Sequence, residues 1–157
     1  MKPQAIEGKT IILRQLLESE AEQICNWRNN PDISKFFHRK HIEPADYVEW
    51  MREVEADPEQ GLYAIVLAAG SELLGTIAVK LQKDNEALLG IMIGASETRG
   101  KGYGAEAMEL ISADLASRFG VKKTVVEVFP ENTAAVAFYE KLGYKNDMLV
   151  MSKSTSI

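Results

Sequence analysis

The chain is poor in the residues that build metal and redox chemistry. It has one cysteine, Cys25, and two histidines, His38 and His41, in 157 residues. A single cysteine excludes an internal disulfide, and so thin a set of soft ligands argues against a metal site, so none is expected. Positive charge is also scarce: 18 Lys and Arg stand against 23 Asp and Glu, a formal charge of −5. Nucleic-acid binding needs a basic footprint, so nucleic acid is not an expected partner; a cationic or neutral substrate fits the overall balance better. No apolar run approaches the length of a membrane span and no signal-peptide pattern opens the chain. A membrane partner is therefore not expected, and a reducing cytoplasm is the expected compartment. Linkers, repeats and low-complexity tracts are missing too. What is present is a composition of 46% apolar and 26% charged residues, which suits one packed domain over 1–157.

Periodicity and turn residues divide the chain into alternating elements. Lys9 to Leu16 reads as a strand. Ser19 and Glu22 have capping-box spacing, and a helix to about Asn29 turns Ala21, Ile24, Trp27 and Cys25 inward. Asn29-Asn30-Pro31 ends it, and Asp32 to Phe37 is a short helical turn at most. His38-Arg39-Lys40-His41 is a polar, basic loop. Pro44 stands where a first helical position belongs, and Val48, Trp50, Met51 and Val54 give the apolar stripe of a helix to about Ala56. Leu62–Leu67 and Glu72–Leu81 form a hairpin around Ala69-Gly70-Ser71. Ala87–Ile93 adds a third strand. A helix from Ala105 to Phe119 stops at Gly120, followed by a strand over Lys123–Phe129. Asn132 caps a helix over Thr133–Leu142 that stops at Gly143, and Tyr144–Ser152 is the last β region. The run of strands is expected to be antiparallel and the unit from Ala87 to Phe129 a parallel crossover. That makes a mixed sheet with helices on both faces.

The stretch Thr98-Arg99-Gly100-Lys101-Gly102-Tyr103-Gly104-Ala105 organises the chain. A glycine-rich turn from a buried strand into a helix aims several backbone N–H groups at one small volume, and the positive end of the helix dipole points the same way. That combination suits phosphate or pyrophosphate. Gly100, Gly102 and Ala105 satisfy the loose dinucleotide fingerprint, with Glu127 near the expected distance. A doubly wound domain, however, needs further strand-helix units, and only about thirty residues follow Glu127. A P-loop is excluded, because no Gly-Lys-Ser/Thr follows. A tight turn with no ligand is the remaining alternative.

Arg99-x-x-Gly102-x-Gly104, after a strand and opening a helix, resembles the acyl-CoA signature of the GNAT superfamily of N-acyltransferases. The stretch Asn132 to Tyr144, ending Phe138-Tyr139-Glu140-Lys141-Leu142-Gly143-Tyr144, looks like that family's second motif. The element order is similar along nearly the whole chain. Leu13-Arg14-Gln15-Leu16 and Trp27-Arg28-Asn29-Asn30-Pro31-Asp32-Ile33 resemble the branch holding ribosomal-protein N-terminal acetyltransferases, a pattern shared by aminoglycoside, polyamine and nucleotide-amino-sugar acetyltransferases.

The resemblance implies an α/β (α+β) fold: a mixed, mostly antiparallel sheet of six or seven strands with about four helices on both faces. The fourth and fifth strands, Leu88–Ile93 and Thr124–Phe129, should splay apart. It implies acetyl-CoA as cosubstrate, with the pyrophosphate on Arg99, Gly100, Lys101, Gly102, Tyr103, Gly104 and Ala105, and the pantetheine arm on main-chain groups of Met92 and Ile93. Asn132 would both cap its helix and bond that arm. The reaction would move acetyl directly to an amine of a small molecule or polypeptide, with Tyr139 as general acid and Glu86 ordering a water as base. His38 and His41 fall in the loop that helps form the acceptor site. Cys25 reads as a packing residue. Only Asn146-Asp147 separates the last two β segments, so the acceptor side should be open or completed by a second subunit, in a monomer or homodimer. The competing reading is a CoA-binding module of the same fold without catalysis, acting as sensor or scaffold.

Overall fold

The computed structural model describes residues 1–94 and 96–155. Two compact units make up the chain, Met1–Glu127 and Val128–Ile157. The first carries one six-stranded sheet: β1 (Ile6–Glu7), β2 (Ile11–Gln15), β3 (Gln60–Leu67), β4 (Leu73–Gln82), β5 (Glu86–Ile93) and β6 (Lys123–Val126), neighbours in that order. The first four pairings are antiparallel and β5 pairs β6 in parallel. Short connections dictate the antiparallel run. Between β3 and β4 the backbone turns through positive φ at Gly70 and Ser71, and between β4 and β5 at Asp84 and Asn85. Asn and Asp tolerate that region better than other side chains do.

Among its described residues this unit has four α-helices: α1 (Ala21–Arg28), α2 (Pro31–Ser34), α3 (Pro44–Ala56) and α4 (Tyr103–Phe119). Ile24 and Cys25 of α1 pack with Tyr47, Met51 and Val54 of α3 over Leu62, Ala64 and Val66, which share one face of β3. Alternation sends Tyr63 and Ile65 to the other face with Ile11, Leu13, Ile77, Val79 and Leu89. There α4 contributes Ala107, Met108, Ile111 and Leu115, all at most 2% exposed. Arg118 at the end of α4 donates to the Tyr63 hydroxyl at 3.2 Å, which ties the helix to that face. Each fully buried Leu or Ile contributes about 1.5–3 kcal/mol of transfer energy. The expected layering, with helices on both faces of a mostly antiparallel sheet, is what forms.

Several boundaries differ from expectation. The strand β1 was not foreseen, because two residues carry no periodicity. The capping box is not Ser19 with Glu22: the Leu17 N–H donates to the Glu20 carboxylate at 2.9 Å and the Glu20 N–H to the Leu17 carbonyl at 3.0 Å. A one-turn 3₁₀ segment over Glu18–Glu20 precedes α1 and moves the cap upstream. The stripe of α3 runs Tyr47, Met51, Val54, leaving Trp50 36% exposed beside Tyr47. Cys25 is buried, and burial pushes its thiol pKa up, as suits packing. Among the described residues, no helix is long and apolar enough to cross a membrane.

The second unit contains α5 (Thr133–Lys141). Asn132 caps it, its side chain accepting from the Ala135 N–H at 3.3 Å. Gly143, at φ 94°, ends it, with the Tyr144 N–H returning to the Tyr139 carbonyl. No strand forms between Tyr144 and Thr155. Met148, Leu149, Val150 and Met151 are 78–84% exposed. Asn146-Asp147 leaves only Tyr144 and Lys145 on one arm, too short for a two-stranded ribbon to support itself.

The tightest fit in the sheet lies at Gly75. A Cβ there would sit 1.9 Å from the Met92 carbonyl oxygen, a backbone atom fixed by the β4–β5 ladder. Gly75→Ala is expected to lower stability by about 2–4 kcal/mol in chemical denaturation. A Cβ at Gly90 on the neighbouring β5 meets nothing within 4 Å, so Gly90→Ala should change stability by less than about 1 kcal/mol.

Candidate functional site

The parallel pairing of β5 and β6 stops early. Glu86 to Leu89 face Lys123 to Val126, and β6 ends there. On its other side β5 stays paired with β4 all the way to Ile93. Among the described residues no strand pairs the edge from Gly90 to Ile93 on the β6 side, the splay expected between these strands. An extended chain laid along such an edge can take up its backbone groups as an added strand would.

Just past this edge the chain makes the glycine turn. A one-turn 3₁₀ segment, Ser96–Thr98, buries Thr98, and the Arg99 N–H closes it on the Ser96 carbonyl. Gly100 and Gly102 have φ 76° and 85°, and a Cβ on either would meet nothing within 4 Å. The protein leaves open the space that these positions face. Gly102 is the N-cap of α4, which begins at Tyr103, two residues before the expected start. A glycine cap has no side chain to offer, so the N–H groups of Tyr103, Gly104 and Ala105 lack intrahelical acceptors. They and the dipole of a 17-residue helix give one positive focus. Gly104 is not a positive-φ residue; it is buried within the helix. Lys101 is exposed beside the turn.

A carboxylate in the first turn of α4 would oppose an anion there, and Glu106 is such a residue. Its side chain is turned away to the β1–β2 connection. It accepts from the Lys9 N–H at 2.9 Å, the Thr10 N–H at 3.1 Å and the Thr10 hydroxyl at 2.7 Å. Partial burial works to raise its pKa, but these hydrogen bonds prevail and hold it below the usual range. Gly8 makes the approach possible, since a Cβ there would lie 2.6 Å from Leu110 Cδ1. Neither Glu106 nor Gly8 could be picked from the sequence, because the partners lie about a hundred residues apart.

Arg99 folds back onto the end of β5, its Nε donating to the Ile93 carbonyl at 3.4 Å and Nη2 to the Gly94 carbonyl at 3.3 Å. The Met92 carbonyl is turned to Gly75 on β4. The indole of Trp27 lies against Gly94 so closely that a Cβ there would sit 1.9 Å from the ring. Trp27, Asn30, Asp32, Gly94, Glu97 and Arg99 line a cleft of about 280 Å³. A wider hollow of about 670 Å³, lined by Gln15, Glu18, Met51 and Glu55 among others, lies at the opposite ends of the strands, away from the glycine turn.

Glu86 opens β5, seven residues before Ile93, and pairs with Lys123 Nζ at 3.3 Å. His41 bonds Glu43 at 2.7 Å, and both it and His38 are exposed. In the second unit Tyr139 is 8% exposed, edge-on to Phe138 and Tyr144. Burial, and then the nearby Tyr144, push its phenol up to about 12.

Residues 10–145 match the model of a known family, the acetyltransferase (GNAT) domain. An uncharacterized Methanocaldococcus jannaschii protein is 30% identical over 146 residues, 88% of this chain but only 29% of that protein. The spermidine N-acetyltransferase of Vibrio cholerae, solved with CoA and spermine, superposes with a TM-score of 0.80 at 22% identity, covering 90% of this chain and 84% of that one. The ribosomal L7/L12 alpha-N-protein acetyltransferase RimL, solved in its apo form, superposes with a TM-score of 0.76 at 14% identity, covering 88% and 79%. At these identities the two superpositions establish a shared fold.

The phenol of Tyr139 makes stability depend on pH. Its folded pKa is raised, so the neutral form is favoured in the native state; that stabilisation is complete below the unfolded value near ~10 and is lost as pH climbs toward 12. Between about pH 9 and 12, Tyr139→Phe should lose about 2–3 kcal/mol less stability than the parent chain, read from denaturation midpoints across that range.

Proposed function

Since this chain belongs to the GNAT acetyltransferase family, we propose that it is an N-acetyltransferase that moves an acetyl group from acetyl-CoA directly to a primary amine. The observation that carries this reading is the unpaired edge of β5 running into a glycine turn at the positive end of α4. The donor set fits the cosubstrate: neutral backbone N–H groups for a diphosphate, then a free strand edge for an amide-bearing arm. Arg99 to Ala105 hold the pyrophosphate and Gly90 to Ile93 receive the arm, with Ile93 supplying main-chain contacts; Met92, expected beside it, spends its carbonyl on the β4 side. Asn132 keeps α5 capped and bonds the arm.

Acetyl-CoA supplies a thioester, whose acyl carbon is the electrophile. The acceptor ammonium first gives up a proton, because only the neutral amine has a lone pair. The cleft between Trp27 and Arg99 suits the ammonium form on arrival, since Asp32 and Glu97 both line it. Water removes the proton; Glu86, the base the resemblance implies, stands seven residues along the extended strand from Ile93, roughly 20 Å away, and does not reach it. The nitrogen bonds the acyl carbon, the carbon–sulfur bond breaks, the departing sulfur takes a proton from Tyr139, and the surplus proton on the new amide nitrogen restores the phenol. The Ile93 N–H faces the negative charge that develops on the carbonyl oxygen; a preorganised donor of this kind is worth ~10²–10³ in rate. A phenol held near 12 stays protonated throughout the working range, so the acid is always loaded. The acceptor is a small-molecule or polypeptide amine, with His38 and His41 at the rim of its site.

One observation favours the second reading, a CoA-binding module without turnover: Glu86 is tied to Lys123 in place of standing free. Acetyl-CoA should raise the melting temperature under either reading, and NAD should not. Only the enzyme releases free thiol when a panel of amines is added. Tyr139→Phe should slow that release about ten- to a hundredfold with acetyl-CoA affinity unchanged; lost affinity with unaltered turnover per bound molecule would reject the role. Gly102→Val, which forces a β-branched side chain into φ 85°, should abolish the acetyl-CoA thermal shift.

A further inference from the structure

The last turn of α1 holds a cation that has no counter-ion among the described residues. Arg28 is half-buried, its guanidinium lies 4.6 Å from the centre of the Phe37 ring, and its Nε is sealed from water with no hydrogen-bond partner. Buried donors are rarely left unpaired without a reason in function. The titratable groups acting on the charge are Tyr47, Cys25 and Arg39, with no carboxylate among them; burial pushes the guanidinium pKa down.

The neighbouring cations differ. Arg39 pairs with Asp46 at 3.3 Å, His41 with Glu43 at 2.7 Å, and Lys40 Nζ donates to the Lys35 carbonyl at 2.7 Å. Arg28 alone of these has its charge unanswered, in a chain whose formal charge is −5. Along the chain it lies between residues of the cleft: Trp27 before it packs on Gly94 at the end of β5, and Asn30 and Asp32 after it line the same cleft, while Arg28 itself is not in that lining. A planar guanidinium stacked on an aromatic ring and lacking a carboxylate is built to take an oxyanion in paired hydrogen bonds.

We propose that Arg28 receives an oxyanion, a carboxylate or a phosphate, carried by the amine acceptor. The inference rests on the acetyl-transfer reading and narrows it to two-ended acceptors. The ammonium end enters the cleft beside Asp32 and Glu97, and the oxyanion end meets Arg28. Local charge thus reverses what the overall charge suggests about the substrate.

The test separates this site from turnover. The full chain, labelled with ¹⁵N and saturated with CoA, is titrated with inorganic phosphate and separately with acetate, with sodium chloride holding ionic strength fixed. The Arg28 Nε–H signal, assigned by its disappearance in Arg28→Lys, should shift saturably with at least one oxyanion and not with chloride. Phe37→Leu, which removes the stacking face, should weaken that saturation. Saturation by phosphate alone, or by acetate alone, names the group carried by the acceptor. No saturable shift with either, or the same shift with chloride, overturns the proposal even if thiol release proves the acetyl transfer. In the thiol assay, the preference in kcat/KM for an amine bearing the oxyanion over its neutral ester should be about ten- to a hundredfold and should collapse in Arg28→Gln; no preference in the parent chain also overturns it.

Discussion

The place where β6 stops is the constraint on which the site depends. Had β6 continued to pair with Gly90–Ile93, β5 would offer no free edge beside the glycine turn. Instead Gly90–Ile93 are anchored on the β4 side only. That anchoring is unusually strict, because Gly75 brings β4 within contact of the Met92 carbonyl and Trp27 presses on Gly94. The unpaired edge is thus held by its paired side. Backbone groups left without a partner in a rigid strand are preorganised for a ligand that supplies the missing ladder.

Charge is placed around this edge with the same economy. The first turn of α4 carries Glu106, yet its carboxylate is taken up by Lys9 and Thr10 and does not oppose an anion at the helix start. Arg99 is turned onto the carbonyls of Ile93 and Gly94, which fixes the strand end and leaves main-chain N–H groups as the focus at the turn. On the α1 side the cleft is lined by Asp32 and Glu97, while Arg28 stands nearby without a carboxylate. A net charge describes none of this, since the sum over 157 residues cancels what a few of them do locally.

Much of the site could be read from residue types. Gly100 and Gly102 announce a positive-φ turn, and Gly120 and Gly143 announce helix ends, because few other residues accept those dihedrals. Asn132 announces a cap for the same kind of local reason. Other features were illegible. The Glu106 contacts span about a hundred residues, and the orphaned Nε of Arg28, beside the Phe37 ring, exists only in the folded chain. Trp27-Arg28 was visible as a motif, but its residues had no assignable task until Gly94 was seen beneath the indole. The capping box shifted to Leu17 and Glu20 because a 3₁₀ turn inserted before α1, a choice made by packing and not by spacing.

By itself the sequence determined the order of elements from β2 to α5, the antiparallel run with one parallel crossover, and the glycine turn. All of these follow from short-range rules: periodicity, glycine and proline dihedrals, and the length of connections. Only the tertiary structure decided where β6 ends, which face Trp50 takes, that Tyr144–Ser152 forms no strand among the described residues, and which charges find partners. Those outcomes depend on distances between segments far apart along the chain, and no local propensity encodes a distance.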